Sequence, residues 1–471
     1  MNKLTQIVDG GYCIGCGACA NRHSDLVSIG LDELGQFQAK VKDGLSLPSE
    51  VEAELLSICP FSNDGPNEDA ISDQSFDPEY PRHNGIGAYS GLYAGYVAEG
   101  NFRSIASSGG VITWLACQLL HRGMVDGVVH VKKDTSNSET LFKYGISRTE
   151  KEVIAGSKSR YYPVEMSEVI SEISRTPGRY VVIGLPCFVK AIRRLALIDP
   201  VLNSRVVYTI GLVCGHLKSK AFADLFGWQA GISPGGLEEI DFRVKMPSGA
   251  PNKYGTRVKG AGISETRRVD EFFGWNWKYN SFRYSACDYC DDVFAETADI
   301  CIGDAWLPEY SKEPKGTSVI VVRGAEIQKI IAEGLKHDEL KFSKISPEKM
   351  LASQAGGLRD RREGLAYRLY LKFREKVPFP KKRVDPSKKG IGYWRRRIYE
   401  QRILLRVTSH SAWLRAIAAT NFSIFKREME PLMARSDFLY KMSFKWFVGR
   451  IKRFVGGIKR KALSFLKMIT G

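Results

Sequence analysis

The sequence predicts an α/β protein with a cysteine-rich front and a basic back end, on three observations. From Gly91 onward short β-rich runs alternate with helical patterns, three cysteines crowd into residues 13–19, and the excess positive charge gathers behind residue 380. Alternating elements are the mark of an α/β body. The 471 residues, 44% of them hydrophobic, allow two or three domains with ample core and make disorder a poor default. Met1 to Gly11 lacks the apolar region of a signal peptide, and no run reaches 18 apolar residues. A cytoplasmic protein is therefore expected, one whose location extends to the inner face of the cell membrane if its tail binds lipid. Its ten cysteines then read as reduced, metal-binding thiols rather than a disulfide framework.

The front, residues 1–62, holds the run Cys13-Ile14-Gly15-Cys16-Gly17-Ala18-Cys19 and, later, Cys59 followed by Pro60. Three thiolates from one tight loop and a distant Cys-Pro are the ligand pattern of a ferredoxin-like 4Fe-4S cluster. Gly15 and Gly17 are expected to let the loop turn close to the inorganic core. The alternative is structural zinc, which more often takes its thiolates as two separated C-x-x-C pairs. One cluster accounts for this segment.

Residues 63–90, with Asn63, Asp64, Gly65, Pro66, Asn67, Pro78 and Pro81, read as a linker. Beyond it, Val125 to Val131, Tyr180 to Gly184, Val206 to Val213 and Thr317 to Val322 read as strands and Val111 to Arg122 as a helix. Ser107-Ser108-Gly109-Gly110 stands just before that helix, so its hydroxyls and glycine amides face a helix N-terminus suited to a dinucleotide pyrophosphate. A plain serine cap with turn glycines reads equally well. Gly156-Ser157-Lys158 is a second candidate phosphate contact, and Gly85-Ile86-Gly87 lacks the strand and the spacing of a Rossmann fingerprint.

Gly184-Leu185-Pro186-Cys187 and Val213-Cys214-Gly215-His216 place two cysteines at strand termini, where α/β proteins bind ligands. Cys287-Asp288-Tyr289-Cys290 adds a C-x-x-C pair, so Cys187, Cys214, Cys287 and Cys290 make a second candidate set of four thiolates. Cys117 and Cys301 sit within helix-like and strand-like runs and read as packing residues.

The order of these motifs, through Met124-Val125-Asp126-Gly127-Val128-Val129, Gly211-Leu212-Val213-Cys214-Gly215 and Ala298-Asp299-Ile300-Cys301-Ile302-Gly303-Asp304-Ala305-Trp306, resembles the beta subunit family of coenzyme F420 hydrogenases and dehydrogenases. The resemblance covers residues 13 to about 335. It implies a flavin-binding body at 91–170 and 171–345, with FAD beside iron-sulfur clusters, and Gly184 and Pro186 counted with Ser107, Ser108, Gly109, Gly110, Ser157 and Lys158 as cofactor contacts. Two features depart from the family pattern: Ser159-Arg160 intervene before Tyr161, and Leu185 replaces the usual threonine. The resemblance leads to an iron-sulfur flavoprotein oxidoreductase in cell-surface polysaccharide assembly, acting on a small molecule or glycan precursor. The alternative is an electron-transfer subunit of a deazaflavin- or ferredoxin-linked complex, with ferredoxin or another redox protein as partner. Lys158, His216 and Asp304 are the candidate proton donors.

A connecting helical segment at 346–380 leads into the tail, 381–471. Residues 1–380 hold 46 Lys+Arg against 47 Asp+Glu and the tail 23 against 5, so the body carries −1 and the tail +18. Phe447, Val448, Ile451, Phe454, Val455, Ile458, Ala462, Phe465, Leu466 and Ile469 recur at helical spacing with Lys445, Lys452 and Lys459 on another face, which predicts a basic amphipathic helix for an anionic membrane surface, the alternatives being a helix docked on the body or on a partner protein. Trp394-Arg395-Arg396-Arg397 could touch nucleic acid, but no nucleic-acid-binding module accompanies it.

Overall fold

The computed structural model describes residues 3–136, 139–246, 253–311 and 313–469, with side chains described through Lys445. The chain forms two compact units, Met1–Trp275 with Phe282–Ser387, and Asn276–Ser281 with Lys388–Gly471.

The first unit is built on an eight-stranded mixed sheet, in spatial order Leu340–Lys344, Gly91–Val97, Ser318–Val322, Ile300–Asp304, Val206–Leu212, Tyr180–Gly184, Gly127–Lys133 and Phe142–Ser147. Its centre is parallel: Gly127–Lys133, Tyr180–Gly184, Val206–Leu212 and Ile300–Asp304 run together. The outer strands pair antiparallel. Ser318–Val322 is buried at every position, with Ile320 and Val322 in one core and Val319 and Val321 in the other. A strand covered on both faces needs that unbroken apolar run. Trp114, Leu115 and Leu119 of the helix Val111–His121 fill the first core, beside Val128, Val181 and Ile210.

The strand expected from Val125 begins at Gly127, because the amides of Met124 and Val125 both donate to the Leu119 carbonyl and close the preceding helix. A second, three-stranded antiparallel sheet, Glu239–Val244, Gly255–Gly260 and Ile263–Arg268, lies outside the strands expected from the sequence. The N-terminal segment carries the hairpin Val27–Leu31 with Phe37–Val41 and the helices Leu4–Asp9, Ala18–Arg22 and Ser49–Ile58. The stretch read as a linker instead contains the helix Glu68–Ser75, whose N-cap Asn67 accepts the Ala70 amide at 2.9 Å, and it lies inside the first unit. That cap and the buried Ile71 outweigh the turn-rich composition around them.

In the second unit, the helices Tyr393–Ala418 and Phe422–Ile469 double back on each other. Trp413 meets Phe425 edge-on at 5.4 Å, and the Gln401 amide donates to the Leu432 carbonyl at 3.0 Å. The apolar stripe expected from Phe447 onward lies outside the described side chains. Among the described residues no helix is long and apolar enough to cross a membrane.

Candidate metal and cofactor site

Cys13 and Cys16 come from the turn leading into the helix Ala18–Arg22, Cys19 lies in that helix's first turn, and Cys59 caps the C-terminus of Ser49–Ile58. Gly15 and Gly17 hold φ values of +65° and +83°. A Cβ on Gly15 would overlap the Phe37 backbone, and one on Gly17 would overlap Glu165 and Ser167. Glycine is thus required by the protein packed behind the loop. The four thiols stand close enough to act on one another. Burial, and then the charge of Cys59, push the Cys13 thiol up to about 11, while Cys19 is raised by burial and by Cys16, Cys13 and Cys59. The Gly15 amide donates to the Cys13 sulfur at 3.4 Å. Arg194 donates to the carbonyls of Cys59, Gly65 and Pro66 and sets a positive charge near Cys59.

The inner set assembles from three distant pieces of chain at the carboxyl ends of parallel strands. Cys187 lies in the first turn of Pro186–Ile198, directly after the strand ending at Gly184. Cys214 follows the neighbouring strand ending at Leu212, and Cys287 and Cys290 belong to the turn Ser285–Tyr289 and its cap. A helix N-terminus favours a thiolate. At Cys187 burial and the facing Cys214, Cys290 and Cys287 outweigh it and raise the thiol well above its ordinary value. The Cys214 thiol is pushed up to about 12, by burial first. The Leu217 amide donates to the Cys287 sulfur at 3.2 Å.

Arg361 is 2% exposed, donates through Nη2 to the carbonyls of Cys214 and Gly215 at 2.9 and 2.7 Å, and faces Cys290, Cys214 and Cys287. Its Nε and Nη1 have no hydrogen-bond partner among the described residues. A buried guanidinium with idle donors beside neutral thiols is costly. The same guanidinium beside an anionic thiolate-ligated core is compensated. Two further buried arginines, Arg283 and Arg368, hold the turn from outside through Asp288 and Asp360.

Among the described residues no three His, Cys, Asp or Glu side chains gather closely enough to hold a single ion. The two sets approach each other at Cys16 and Cys187, whose charges act on one another and on the phenol of Tyr144. Cys117 and Cys301 lie in the two hydrophobic cores, as packing residues should.

The loop Ser107 to Gly110 enters the helix Val111–His121 with Gly110 at φ +85°. The Gly109 amide donates to Ser318 Oγ at 3.2 Å, Ser108 Oγ to the Thr317 carbonyl at 3.1 Å, and the Ser159 amide to Ser107 Oγ at 2.9 Å. That last bond draws the Gly156-Ser157-Lys158 turn against the loop. Lys245 donates to the carbonyls of Arg103 and Ser108. Burial, and then Arg103, Lys158 and Arg243, pull the Lys245 ammonium down to about 8. Four cations, Arg103, Lys158, Arg243 and Lys245, thus act on one another beside a helix N-terminus, the first three paired with Glu313, Asp241 and Asp304.

Of the sequence-predicted contacts, Ser107, Ser108, Gly109, Gly110, Ser157 and Lys158 meet here, while Gly184 and Pro186 stand at the start of the Cys187 helix beside the thiols. Lys158 pairs with Asp241 at 3.4 Å, Asp304 holds Arg243 at 2.6 Å, and His216 is buried two residues from Cys214. Sequence reasoning missed Arg103, Lys245, Arg243 and Arg361. Each comes from a segment without a motif.

Models of the coenzyme F420 hydrogenase/dehydrogenase beta subunit match this chain, the N-terminal one at residues 92–171 and the C-terminal one at 178–348. A coenzyme F420-dependent sulfite reductase of Methanocaldococcus jannaschii is 21% identical over 363 residues, 72% of this chain and 49% of the relative. The chain therefore spans about half the length of that relative. A chain of the F420-reducing nickel-iron hydrogenase complex from Methanosarcina barkeri aligns with a TM-score of 0.47 and 16% identity, covering 62% of this chain and 96% of its own length.

Proposed function

Since the chain belongs to the coenzyme F420 hydrogenase/dehydrogenase beta subunit family, we propose that it is an iron-sulfur flavoprotein that transfers electrons as one subunit of an oxidoreductase system. Cys13, Cys16, Cys19 and Cys59 would hold one 4Fe-4S cluster and Cys187, Cys214, Cys287 and Cys290 a second. Ser107 to Gly110, with Arg103, Lys158 and Lys245, would hold the diphosphate of FAD. When bound, the clusters supply one-electron chemistry and the flavin two-electron hydride chemistry.

The chain's own part is placement and charge. The amides of Gly15 and Leu217 donate to ligand sulfurs, and hydrogen bonds of that kind tune cluster potential. Asp241 and Asp304 hold Lys158 and Arg243, and Glu313 holds Arg103 at 3.7 Å. The observation that carries the reading is Arg361, a buried cation with idle donors facing three thiols.

The partner that fits is a ferredoxin-type carrier or an F420-linked subunit. The family description favours this subunit role, and the name of the curated relative favours an F420 link. An independent part in polysaccharide assembly draws no support from them. Anaerobic purification followed by iron, sulfide and flavin analysis tests the reading. About eight irons and one FAD per chain are expected from two sets of four cysteines. Zinc in place of iron, or protein that takes up no iron on reconstitution, overturns it.

A further inference from the structure

Residues 377–387 form neither helix nor strand, yet they are pinned at every turn. The Tyr12 hydroxyl, next to Cys13, donates to the Pro378 carbonyl at 2.7 Å. The Lys381 amide donates to Asn63 Oδ1 at 2.6 Å, and the Ser387 amide to the Ala366 carbonyl at 3.0 Å. Lys382, whose side chain is 5% exposed, lies over the Phe61 ring at 4.4 Å and within 4.0 Å of Asp291. Arg383 divides its donors between two pieces of chain. It takes Asp69 at 3.0 Å on the helix after Cys59, and Asp291 at 3.2 Å and Glu296 at 2.6 Å in the loop after Cys290.

Tyr12 also meets Tyr289, which stands between Cys287 and Cys290, edge-on at 4.9 Å. The segment therefore touches both thiol sets through residues adjacent to their ligands. It lies beyond both family matches, which end by residue 348. Ordering an irregular segment and burying its charges costs free energy. That cost is understandable if the segment fixes a geometry that matters, and electron transfer between two centres falls steeply as their separation grows.

We propose that residues 377–387 are a strap that holds the N-terminal thiol set at a fixed distance from the inner one, with Arg383 as its positioning residue and Lys382 as the charge that tunes the outer set. The proposal rests on the reading of the two sets as cluster ligands. A positive charge near Cys59 favours the more negative, reduced state of a bound cluster and so raises its potential. Arg383 acts by geometry, since only a planar fork can bridge three carboxylates at once.

The test uses full-length protein reconstituted anaerobically with iron and sulfide, titrated electrochemically and followed by electron paramagnetic resonance. Loss of one signal in Cys16→Ser and of the other in Cys287→Ser assigns them. Lys382→Met is expected to lower the outer midpoint, and Lys382→Arg to restore it. Arg383→Lys keeps the charge but loses the fork. It is expected to weaken the spin coupling between the signals and to speed amide exchange across residues 59–70 about tenfold. An unmoved outer midpoint in Lys382→Met overturns the tuning role, and unchanged coupling and exchange in Arg383→Lys overturn the strap. If the wild-type chain binds no iron, the functional reading falls separately. Exchange in the metal-free protein then still decides the strap, because equal rates in wild type and Arg383→Lys overturn it.

Discussion

The N-terminal segment and the α/β body present thiols in opposite ways. In the segment three of four cysteines come from seven consecutive residues, held by a turn whose glycines fit against Phe37 and Glu165. In the body the four are spread from Cys187 to Cys290 and meet only because parallel strands end side by side. A local set is a module that can be lost alone. A distributed set is part of the fold that makes it, so damage to one should be damage to both.

Replacing one ligand in each set gives the largest expected effect. Cys16→Ser should remove about half of the bound iron while leaving the thermal unfolding midpoint of the metal-free protein near wild type. Cys287→Ser should remove the other half and lower that midpoint. It weakens the acceptor of the Leu217 amide and alters a turn locked by Arg283, Asp288 and Asp360. Equal midpoints in the two variants would break the distinction between module and fold.

Glycine substitutions sharpen it further. Gly17→Val forces a β-branched residue into φ +83°, which costs roughly 1–2 kcal/mol before any overlap with Glu165 and Ser167 is counted. Outer iron should be lost and flavin kept. In Gly109→Val, a side chain would meet Ser318 Oγ at 2.8 Å and the Gly95 carbonyl at 2.9 Å, so the loop must leave the sheet. Flavin should be lost and outer iron kept. Parallel measurement of iron and flavin in both variants checks the crossover.

The same contrast explains what was legible beforehand. The cysteine ladder, the loop before Val111 and the central strands carry short-range signatures, namely spacing, turn glycines and β-branched runs. The small sheet from Glu239 to Arg268 carries them only in part: Glu239–Val244 alternates polar and apolar residues, but Gly255–Gly260 and Ile263–Arg268 carry few apolar positions, and the register shifts between Asp241 and Val244. The helix at Glu68 hides in turn-rich composition. Arg361, Arg243 and Lys245 are ordinary surface-type residues in the sequence, and only tertiary contact gives them a role. Spacing can announce a ligand but not the counter-charge that balances it.

On the proposed reading Arg361 is the counter-charge of the inner set, and its removal separates the metal-free from the loaded protein. Arg361→Met deletes a buried cation with idle donors, which offsets the loss of its hydrogen bonds to the Cys214 and Gly215 carbonyls, so the metal-free chain should lose little stability. The loaded chain should hold its inner iron less firmly, and its inner midpoint should fall while the outer one stays. Chelator-induced iron loss, followed as two phases, reports this. A uniform change in both phases would mean that the two sets do not differ in the way their surroundings suggest.

The smallest effect is a pH dependence confined to the body. Lys245 is held near 8 by burial and by Arg103, Lys158 and Arg243, against an ordinary value of 10.5. In the unliganded chain the unfolded state binds the extra proton between those values, so this residue makes stability rise as pH climbs through that window. Ligand affinity moves the other way. A phosphate group is attracted to the charged ammonium, and that charge is lost as pH rises through about 8. Affinity for FAD, followed by flavin fluorescence, should therefore fall several-fold between pH 7 and 9. Lys245→Arg should flatten the profile at the high-affinity level and Lys245→Met at the low one. Iron retention by the N-terminal set should show no matching step, because the ammonium that titrates belongs to the loop and not to the thiols. A wild-type profile that stays flat while Lys245→Met binds as tightly would remove Lys245 from the phosphate site and leave the loop to Arg103 and Lys158.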